Sequence, residues 1–325
     1  MSVLTRRGAL TALTLGLSFP SCVLAQTAFP KPVRMVVPFG PGGTADTVAR
    51  LIVDNLSDKI GRPRIVESRM GAGGNIAGYA VANADPDGTT LLLAANHLAI
   101  APSLYKKLSY DPMTDLSPVT LVGSTPFVLV ANKDLKIQSL ADLIALAKSK
   151  PGQLSYASPG LGTATHLAFE MLKQHAGIDV RHVSYRSNPL AMNDVISGQV
   201  PLFMDLVTTG ASHVTAGNVR GLATASSQRS PLLPDVPTMA EAGMPNFEAN
   251  TWFAVFARGG TPADVVTHLH NEISAVLLLP AVRQRLLSFG VDMNVQGPDH
   301  LRALLKADTA KWESVIRNAG IAQID

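Results

Sequence analysis

The sequence predicts an α/β protein built on parallel strands, and three observations support this. Short apolar runs of strand length alternate with amphipathic runs of helix length along most of the chain. Glycine-rich turns follow two of the apolar runs, GPGGTA at 40–45 and SPGLGT at 158–163. Strands that alternate with helices are typical of βαβ units, in which the strands pair in parallel. A chain of 325 residues is long enough for two such domains.

The first 25 residues have the pattern of an export signal. Arg6 and Arg7 precede a moderately apolar stretch at 9–17, and 23–25 is an acceptable cleavage site, so the mature chain is expected to start near Gln26. The arginine pair is compatible with the general secretory (Sec) route and with the twin-arginine (Tat) route. The segment is too short and too weakly apolar for a membrane anchor. We therefore expect a periplasmic protein.

The cysteine count and the net charge of the mature chain bear on its stability and on its binding partners. Cys22 is the only cysteine, so the mature chain has none and depends on its core for stability. A lipoprotein anchored at Cys22 is the alternative, but the residues at 19–21 are a poor lipobox. Without the signal, 25 basic residues balance 24 acidic ones, which gives a net charge of +1. This near-neutral charge gives no electrostatic case for binding nucleic acid.

The first strand–turn–helix unit starts at Val33. Residues 33–37 predict a buried parallel strand, and the glycines at 40–43 allow a sharp reversal of the backbone. Thr44 is expected to be the N-cap of the following helix. The first amides of such a helix carry partial positive charge, so the turn suits an anion. The turn matches neither the dinucleotide fingerprint nor the phosphate loop, and an ordinary turn with a capped helix is the alternative.

Two residues next to this turn, Asp46 and Phe39, have simple structural roles open to them besides ligand binding. Asp46 is expected in the first helical turn, where it complements the helix dipole and pairs with Arg50 four residues later. Phe39 either lines a pocket or fills the core, and core is the usual role of such a residue.

Two further strands are predicted at 64–67 and 90–95, with a helix over 76–84 between them. Gly73-Gly74-Asn75 follows the first of these strands, and Asn96-His97 follows the second. Because ligands of parallel sheets lie beyond the carboxyl ends of the strands, these residues and the first glycine turn are expected at one binding edge. His97 either bonds a ligand or caps a strand end, and the sequence leaves both open.

The middle of the chain repeats the strand, glycine turn and helix of the first unit. The second glycine turn, 158–163, precedes a helix over 164–175 that Thr163 or Thr165 can cap. Asp205, at the end of a strand, can bind an amine, hold a water or anchor a neighbouring loop. The other elements predicted from here to the end are strands at 127–132, 154–157, 183–185, 200–206, 219–225 and 252–257, and helices at 139–148, 262–279, 281–289 and 298–319.

Motifs for catalysis or metal binding are not recognised in the sequence. The eight histidines lack metal-ligand spacing, and no Gly-x-Ser-x-Gly elbow occurs. Ser158 and His166 lie near one turn, but a helix-surface or cap role is the simpler one for His166. We therefore expect no cofactor and no metal, and the absence of motifs weakens the case for an enzyme.

Several segments in a fixed order resemble one family. They are VRMVVPFGPGGTADTVAR, ESRMGAGGNIAG, PDGTTLLLA, LYKKLSYDPMTDLSPVTLV, SPGLGTATHLA and RSPLLPDVPTMAEAGMPNFEANTWFAVFA. Together they resemble the substrate-binding proteins of tripartite tricarboxylate transporters, the Bug or TctC-like periplasmic receptors. The resemblance covers essentially the whole mature chain. Departures occur at Pro159, at Asn96-His97 and at 185–188, and they bear on which solute is bound.

The resemblance implies a type II periplasmic-binding-protein fold with two lobes, each a mostly parallel sheet flanked by helices, and a ligand cleft between them. The expected division is 26–122 plus 229–325 for the first lobe and 123–228 for the second. One helix N-terminus from each lobe should face a ligand carboxylate. The implied ligand contacts are Phe39, Gly42, Gly43, Thr44, Asp46, Asn75, Asn96, His97, Ser158, Gly162, Thr163 and Asp205.

The resemblance also implies a function and partners. The first hypothesis is a monomeric transport receptor that passes a small mono- or dicarboxylate to a large and a small membrane subunit. A sensor that reports to a membrane kinase is the second hypothesis, and a periplasmic hydrolase or isomerase using Asp46, His97 or Asp205 is the third. One carboxylate is expected at Thr44 and Thr163. The far end of the ligand can be a second carboxylate, an amine facing Asp205 or an aromatic ring against Phe39.

Overall fold

The structure, a computed structural model, describes residues 32–56 and 64–325. The predicted export signal, its cleavage site and Cys22 lie outside the described residues. The strands are β1 Val33–Val37, β2 Arg64–Ser68, β3 Thr90–Ala94, β4 Leu116–Asn132, β5 Ser155–Ser158, β6 Arg181–Ser184, β7 Leu202–Leu206, β8 Val219–Thr224, β9 Asn250–Arg258 and β10 Asp292–Gln296. The helices are α1 Thr44–Asn55, α2 Asn75–Ala82, α3 His97–Leu104, α4 Leu140–Ser149, α5 Ala164–Ala176, α6 Asn188–Ile196, α7 Val207–Thr215, α8 Ala263–Leu277, α9 Pro280–Ser288 and α10 Pro298–Asn318.

The strands form a mixed sheet in the order β2-β1-β3-β9-β4-β7-β5-β6, and β8 and β10 also pair with β4. At one end β2, β1 and β3 are parallel, and we call them the first parallel group. At the other end β7, β5 and β6 are parallel, and we call them the second parallel group. In the middle, β4 and β9 are antiparallel to their neighbours. The predicted α/β class is confirmed.

The long strand β4 joins the two parallel groups. Its residues 116–126 pair with β9, and its residues 127–131 pair with β7. The expected lobe boundary at 122/123 therefore falls inside one strand, while the change of partners comes at Pro126 and Phe127. The division into lobes stays a prediction.

The sequence predicted only the last third of β4, because Pro118, Gly123 and Pro126 interrupt its apolar pattern. The strand accommodates Pro118 and Gly123 at irregularities in its pairing with β9, which is where a sheet tolerates such residues.

The sequence missed α3, α6, α7 and β10. The apolar α3 lacks a polar face and contains Pro102, so it shows no helical period. The helix α6 carries Pro189 in its first turn, where proline is favoured. Threonine, serine and glycine fill most of α7, and these are weak helix formers whose packing decides their conformation.

The C-terminal helix α10 contacts helices that accompany both parallel groups. It contacts α3, which follows the first parallel group, and α5, which belongs to the second. Gln174 Nε2 of α5 donates to the carbonyl oxygen of Val315 at 3.1 Å. Trp312 of α10 is fully buried in the largest hydrophobic cluster. Among the described residues no single helix is long and apolar enough to span a membrane, and α8 with α9 meets that criterion only as a pair bent by 74°.

Candidate functional site

The first glycine turn joins β1 to α1 and leaves the start of the helix without a side-chain cap. The N-cap is Gly43, in extended backbone with φ −79° and ψ 173°, and no side chain bonds the cap. The expectation that Thr44 is the N-cap is wrong, because Thr44 is already the first helical residue. The first amides of a helix have no intrahelical partner, so an uncapped start leaves donors for another group.

Asp46 stabilises the first glycine turn from within α1. Its Oδ2 accepts from Gly42 N at 2.9 Å and from Arg50 Nε at 3.0 Å, so the predicted pairing with Arg50 is confirmed. Burial raises the pKa of Asp46, but the hydrogen bonds from Arg50 and Gly42 and the Arg50 charge outweigh burial and leave the pKa below its usual value. Asp46 therefore stays ionised and holds the backbone of the turn.

The second glycine turn joins β5 to α5, and Thr163 caps this helix as predicted. Thr163 Oγ1 accepts from His166 N at 3.4 Å and donates to the carbonyl oxygen of Gly160 at 2.8 Å. Gly162 has φ +73°, a conformation that favours glycine. The cap and the turn are thus fixed by one hydroxyl.

Two histidines, one buried and one half-buried, support the second glycine turn. Of the two roles expected for His166, the helix-surface role is wrong because the residue is buried. Its Nδ1 accepts from Gly162 N at 3.1 Å just before α5, which agrees with the cap role. Ser158 Oγ lies 2.6 Å from His182 Nε2 and accepts from Gly160 N at 3.2 Å. The imidazole rings of His166 and His182 lie 4.1 Å apart between centroids. The Gly162 end of the turn therefore bonds an imidazole directly. The Gly160 end is connected to an imidazole through Ser158.

These two histidines are held neutral by their surroundings. Burial, the neighbouring His182 and the charge of Lys173 lower the pKa of His166 to about 3. Burial also lowers the pKa of His182, although Glu170 opposes this. A neutral His166 keeps the lone pair that accepts from Gly162 N. Ser158 is fully buried, and its contact with His182 supports the turn.

Phe39 and His97 lie together at the edge of the first parallel group. Phe39 is 39 % exposed, so the core role expected for it is wrong. Its ring meets the His97 ring edge-on with 5.6 Å between centroids. His97 is the first residue of α3, and its Nδ1 accepts from Ala95 N at 3.4 Å, which is a contact to the strand end. Asn75, at the start of α2, accepts from the Tyr110 hydroxyl at 3.4 Å.

Asn96 and Asp205 each connect neighbouring elements around the site. Asn96 Oδ1 accepts from Thr251 Oγ1 and Trp252 N, and its Nδ2 donates to the carbonyl oxygen of Asn250, so its amide ties α3 to β9. Asp205 is buried in β7 and accepts from Asn188 Nδ2 at 2.9 Å and Thr209 Oγ1 at 2.8 Å. Of the three roles considered for Asp205, these contacts match the anchoring of neighbouring elements, α6 and α7.

Each glycine turn contacts an element that belongs to the opposite parallel group. Thr44 Oγ1 donates to Thr208 Oγ1 of α7 at 3.3 Å. A Cβ placed on Gly162 would come 2.2 Å from Leu104 Cδ2 at the end of α3. The structure therefore places both helix N-termini where the two groups meet. The sequence analysis missed Thr208, although it lies two residues after the end of β7, at the same kind of strand end as the predicted binding residues.

The site offers backbone amides, hydroxyls and neutral imidazoles. No Lys or Arg occurs at 38–46 or 158–165. Within 32–56 and 64–325, no three His, Cys, Asp or Glu side chains are grouped as a metal site requires. Amides at helix starts and hydroxyls are the donors that bind anions.

Comparison with known protein families and structures identifies relatives over nearly the whole chain. Residues 48–321 match the model of the tripartite tricarboxylate transporter family receptor, TctC. The protein BugT of Bordetella pertussis is 37 % identical over 309 residues, which cover 94 % of each chain. The structure of Rpa4515 of R. palustris with adipate has a TM-score of 0.82 and 35 % identity, and the match covers 91 % of this chain and all of that one.

A second solved structure carries the same fold. The periplasmic binding protein BugD matches with a TM-score of 0.79 and 35 % identity, over 90 % of this chain and 99 % of that one. The predicted periplasmic-binding-protein fold is therefore confirmed, and so is the resemblance that the ordered motifs indicated. The chain belongs to the TctC family of tripartite tricarboxylate transporter receptors, the Bug-type periplasmic solute-binding proteins.

Proposed function

We propose that this chain is a periplasmic receptor that captures a small carboxylate and delivers it to the membrane subunits of a tripartite transporter. The ligand lies in a cleft between a lobe of 26–122 plus 229–325 and a lobe of 123–228. The observation that carries the proposal is that two glycine-turn helices, one from each parallel group, begin where the groups meet. The adipate bound to the similar protein Rpa4515 supports a carboxylate as the ligand class.

The carboxylate is bound without a fixed cation in either turn. Each helix N-terminus contributes about 0.3–1 kcal/mol, and up to about 2 kcal/mol when partly buried. Each hydrogen bond to the charged group adds about 1.5–3 kcal/mol. After the costs of association, two helix starts and a few bonds give a binding free energy on the order of −8 kcal/mol, which corresponds to a micromolar Kd.

The donors come from both sides of the cleft. The uncapped start of α1 gives its first amides and the Thr44 hydroxyl, which exchanges its bond with Thr208 for one with the ligand. The second turn gives the amides at the start of α5 next to Thr163. Asp46, Ser158 and the histidine pair hold these two turns in shape. A ligand that contacts both sides favours the closed arrangement of the lobes.

A thermal-shift screen of carboxylates on the mature chain tests the proposal, because a ligand that binds only the folded state raises Tm. We expect small carboxylates to raise Tm, and uncharged sugars or cations to leave it unchanged. Thr44→Val and Thr163→Val should each weaken binding of the best acid about 10-fold or more. The first removes a hydroxyl at the charged group, and the second removes the bonds to the Gly160 carbonyl and the His166 amide that hold the second turn in shape. Thr163→Val should also lower stability by about 1 kcal/mol through the lost cap.

Thr267→Val is the matched control, because Thr267 is a helical threonine on α8 whose hydroxyl bonds the carbonyl oxygen of Ala263. It should bind acids like the wild type. Unchanged affinity in both Thr44→Val and Thr163→Val would refute the two-helix mechanism. Delivery is tested separately by deletion of the gene, which should abolish uptake; loss of induction with intact uptake would instead show a sensor.

Replacing His182 by phenylalanine should weaken carboxylate binding about 5-fold, measured by calorimetric titration. Phenylalanine keeps the ring contacts with Tyr156 and His166 but removes the bond to Ser158. One lost hydrogen bond costs about 1 kcal/mol, which here loosens the Gly160 side of the turn. His175→Phe, near the end of helix α5, is the control and should bind normally. Equal affinity of both variants would show that the Ser158–His182 contact does not position the turn.

A further inference from the structure

The His97 imidazole has a defined tautomer and one free donor. Its Nδ1 accepts from Ala95 N, so the ring proton lies on Nε2. The Nε2 atom is buried and has no hydrogen-bond partner among the residues that the structure describes. A buried N–H group left without an acceptor is costly, and such groups are almost always paired in folded proteins. The acceptor for His97 Nε2 is therefore expected from outside the chain.

A second free donor adjoins the first. Asn75 Nδ2 is also buried and without a partner in the described part of the chain, while its Oδ1 accepts from Tyr110. Asn75 follows Gly74, and a Cβ on Gly74 would come 2.6 Å from His97 Cδ2 and 3.0 Å from its Nε2. The glycine thus makes room for the ring beside the start of α2. Two neutral N–H donors lie at adjoining positions on one side of the site.

The electrostatics of His97 match an oxygen acceptor and exclude an amine. Burial lowers the pKa of His97 to about 3, so the ring is neutral at any ordinary pH. An N–H donor has no lone pair to offer an ammonium group. Asp205, the acidic group considered for an amine, is buried in β7, and its two oxygens bond Asn188 of α6 and Thr209 of α7. The distal group of the ligand is therefore an acceptor.

Phe39 supplies an apolar surface next to these donors. Its ring is exposed and meets the His97 ring edge-on. Phe39 lies two residues after β1 and directly before the first glycine turn, and its ring contacts His97, so it adjoins both the turn and His97. A hydrocarbon segment of the ligand packs against an exposed aromatic ring better than a hydroxylated one does.

We propose that His97 selects the distal group of the ligand: its Nε2–H, together with Asn75 Nδ2, donates to an oxygen acceptor that a hydrocarbon spacer along Phe39 separates from the carboxylate at the glycine turns. The inference rests on the proposed carboxylate-receptor function. The ligand class is an acid with a hydrocarbon middle and a carboxylate, amide or carbonyl oxygen at its far end. His97 is thus a specificity-determining residue.

Calorimetric titration of the mature chain with matched acids tests this. The probes are linear diacids of four to eight carbons, their monoamides, the monoacids of equal length and the equally long ω-amino acids. For at least one length, the wild type should bind the diacid or the monoamide at least 10-fold tighter than the monoacid. The ω-amino acid should bind no better than the monoacid. The inference would be overturned if the wild type preferred neither the diacid nor the monoamide over the monoacid at any chain length.

Two variants separate His97 from the rest of the site. His97→Phe keeps a ring of similar size but lacks the donor, so it should reduce the preference for the diacid or the monoamide over the monoacid at least 10-fold. His97→Gln keeps an N–H donor and should retain part of the preference, which also controls for a folding defect in His97→Phe. An unchanged preference in His97→Phe overturns this inference alone. Failure of every acid to bind would overturn the proposed function with it.

Discussion

Replacing Gly162 by alanine should lower carboxylate affinity about 100-fold or more and destabilise the fold by about 2–4 kcal/mol. Gly162 has φ +73°, and a left-handed conformation costs a residue with a Cβ about 1–2 kcal/mol. The new Cβ would come 2.2 Å from Leu104 Cδ2, and Leu104 is buried in the largest hydrophobic cluster, where overpacking costs about 1–3 kcal/mol. Either the Leu104 side chain or the second glycine turn must therefore shift, and a shift of the turn moves the amides at the start of α5. Titration calorimetry and thermal melting measure the two effects.

Gly177→Ala provides the control within the same helix. Gly177 ends α5 with φ +60°, but a Cβ there meets nothing within 4 Å. This variant pays the conformational cost alone, so it should lose about 1 kcal/mol of stability and bind carboxylates normally. If Gly162→Ala binds with the affinity of Gly177→Ala, the contact between the second turn and Leu104 does not set the geometry of the site.

The two glycine turns were predictable because their signals are local. In each unit an apolar strand, a run of glycines and a helix with a clear apolar period follow one another in the sequence. Parallel pairing of the strands then places each turn at the carboxyl ends of its strands. The Asp46–Arg50 pair and the Thr163 cap follow from spacings of four and three residues. Thr44 failed as a cap because Gly43 adopts the extended backbone that a cap requires, and no short-range rule chooses between adjacent residues there.

The partners of the site residues were not predictable, because they depend on strand pairing. Ser158 was considered with His166, which is close in the chain, but its contact is His182, brought there by the pairing of Ser158 with Ser184 in β5 and β6. Thr208 reaches Thr44 across 164 residues. A single sequence carries no direct signal for such contacts. The prolines in β4 and α3 hid elements whose conformation is decided by packing.

Replacing Asp205 by asparagine should change how stability depends on pH. Burial raises the pKa of Asp205 from 3.8 to about 7, against hydrogen bonds from Thr209, the Leu206 amide and Asn188 that lower it. Between pH 4 and pH 7 the folded state keeps a proton that the unfolded state has released, so the free energy of unfolding falls as pH rises through this window and levels off above it. Asparagine has no charge to bury. Asp205→Asn should therefore gain stability relative to the wild type as pH rises, by up to about 4 kcal/mol.

Asparagine can keep both contacts of Asp205, since its oxygen accepts from Asn188 and its NH₂ donates to the Thr209 hydroxyl. Chemical denaturation at pH 4 and pH 8 measures the difference. Thr209→Val is a second test, because it removes a bond that favours the charged carboxyl and should extend the fall in stability to higher pH. Asp54→Asn, on the exposed side of α1, controls for the loss of a surface carboxylate. If wild type and Asp205→Asn differ by the same amount at pH 4 and pH 8, Asp205 is already ionised in the folded protein at pH 4.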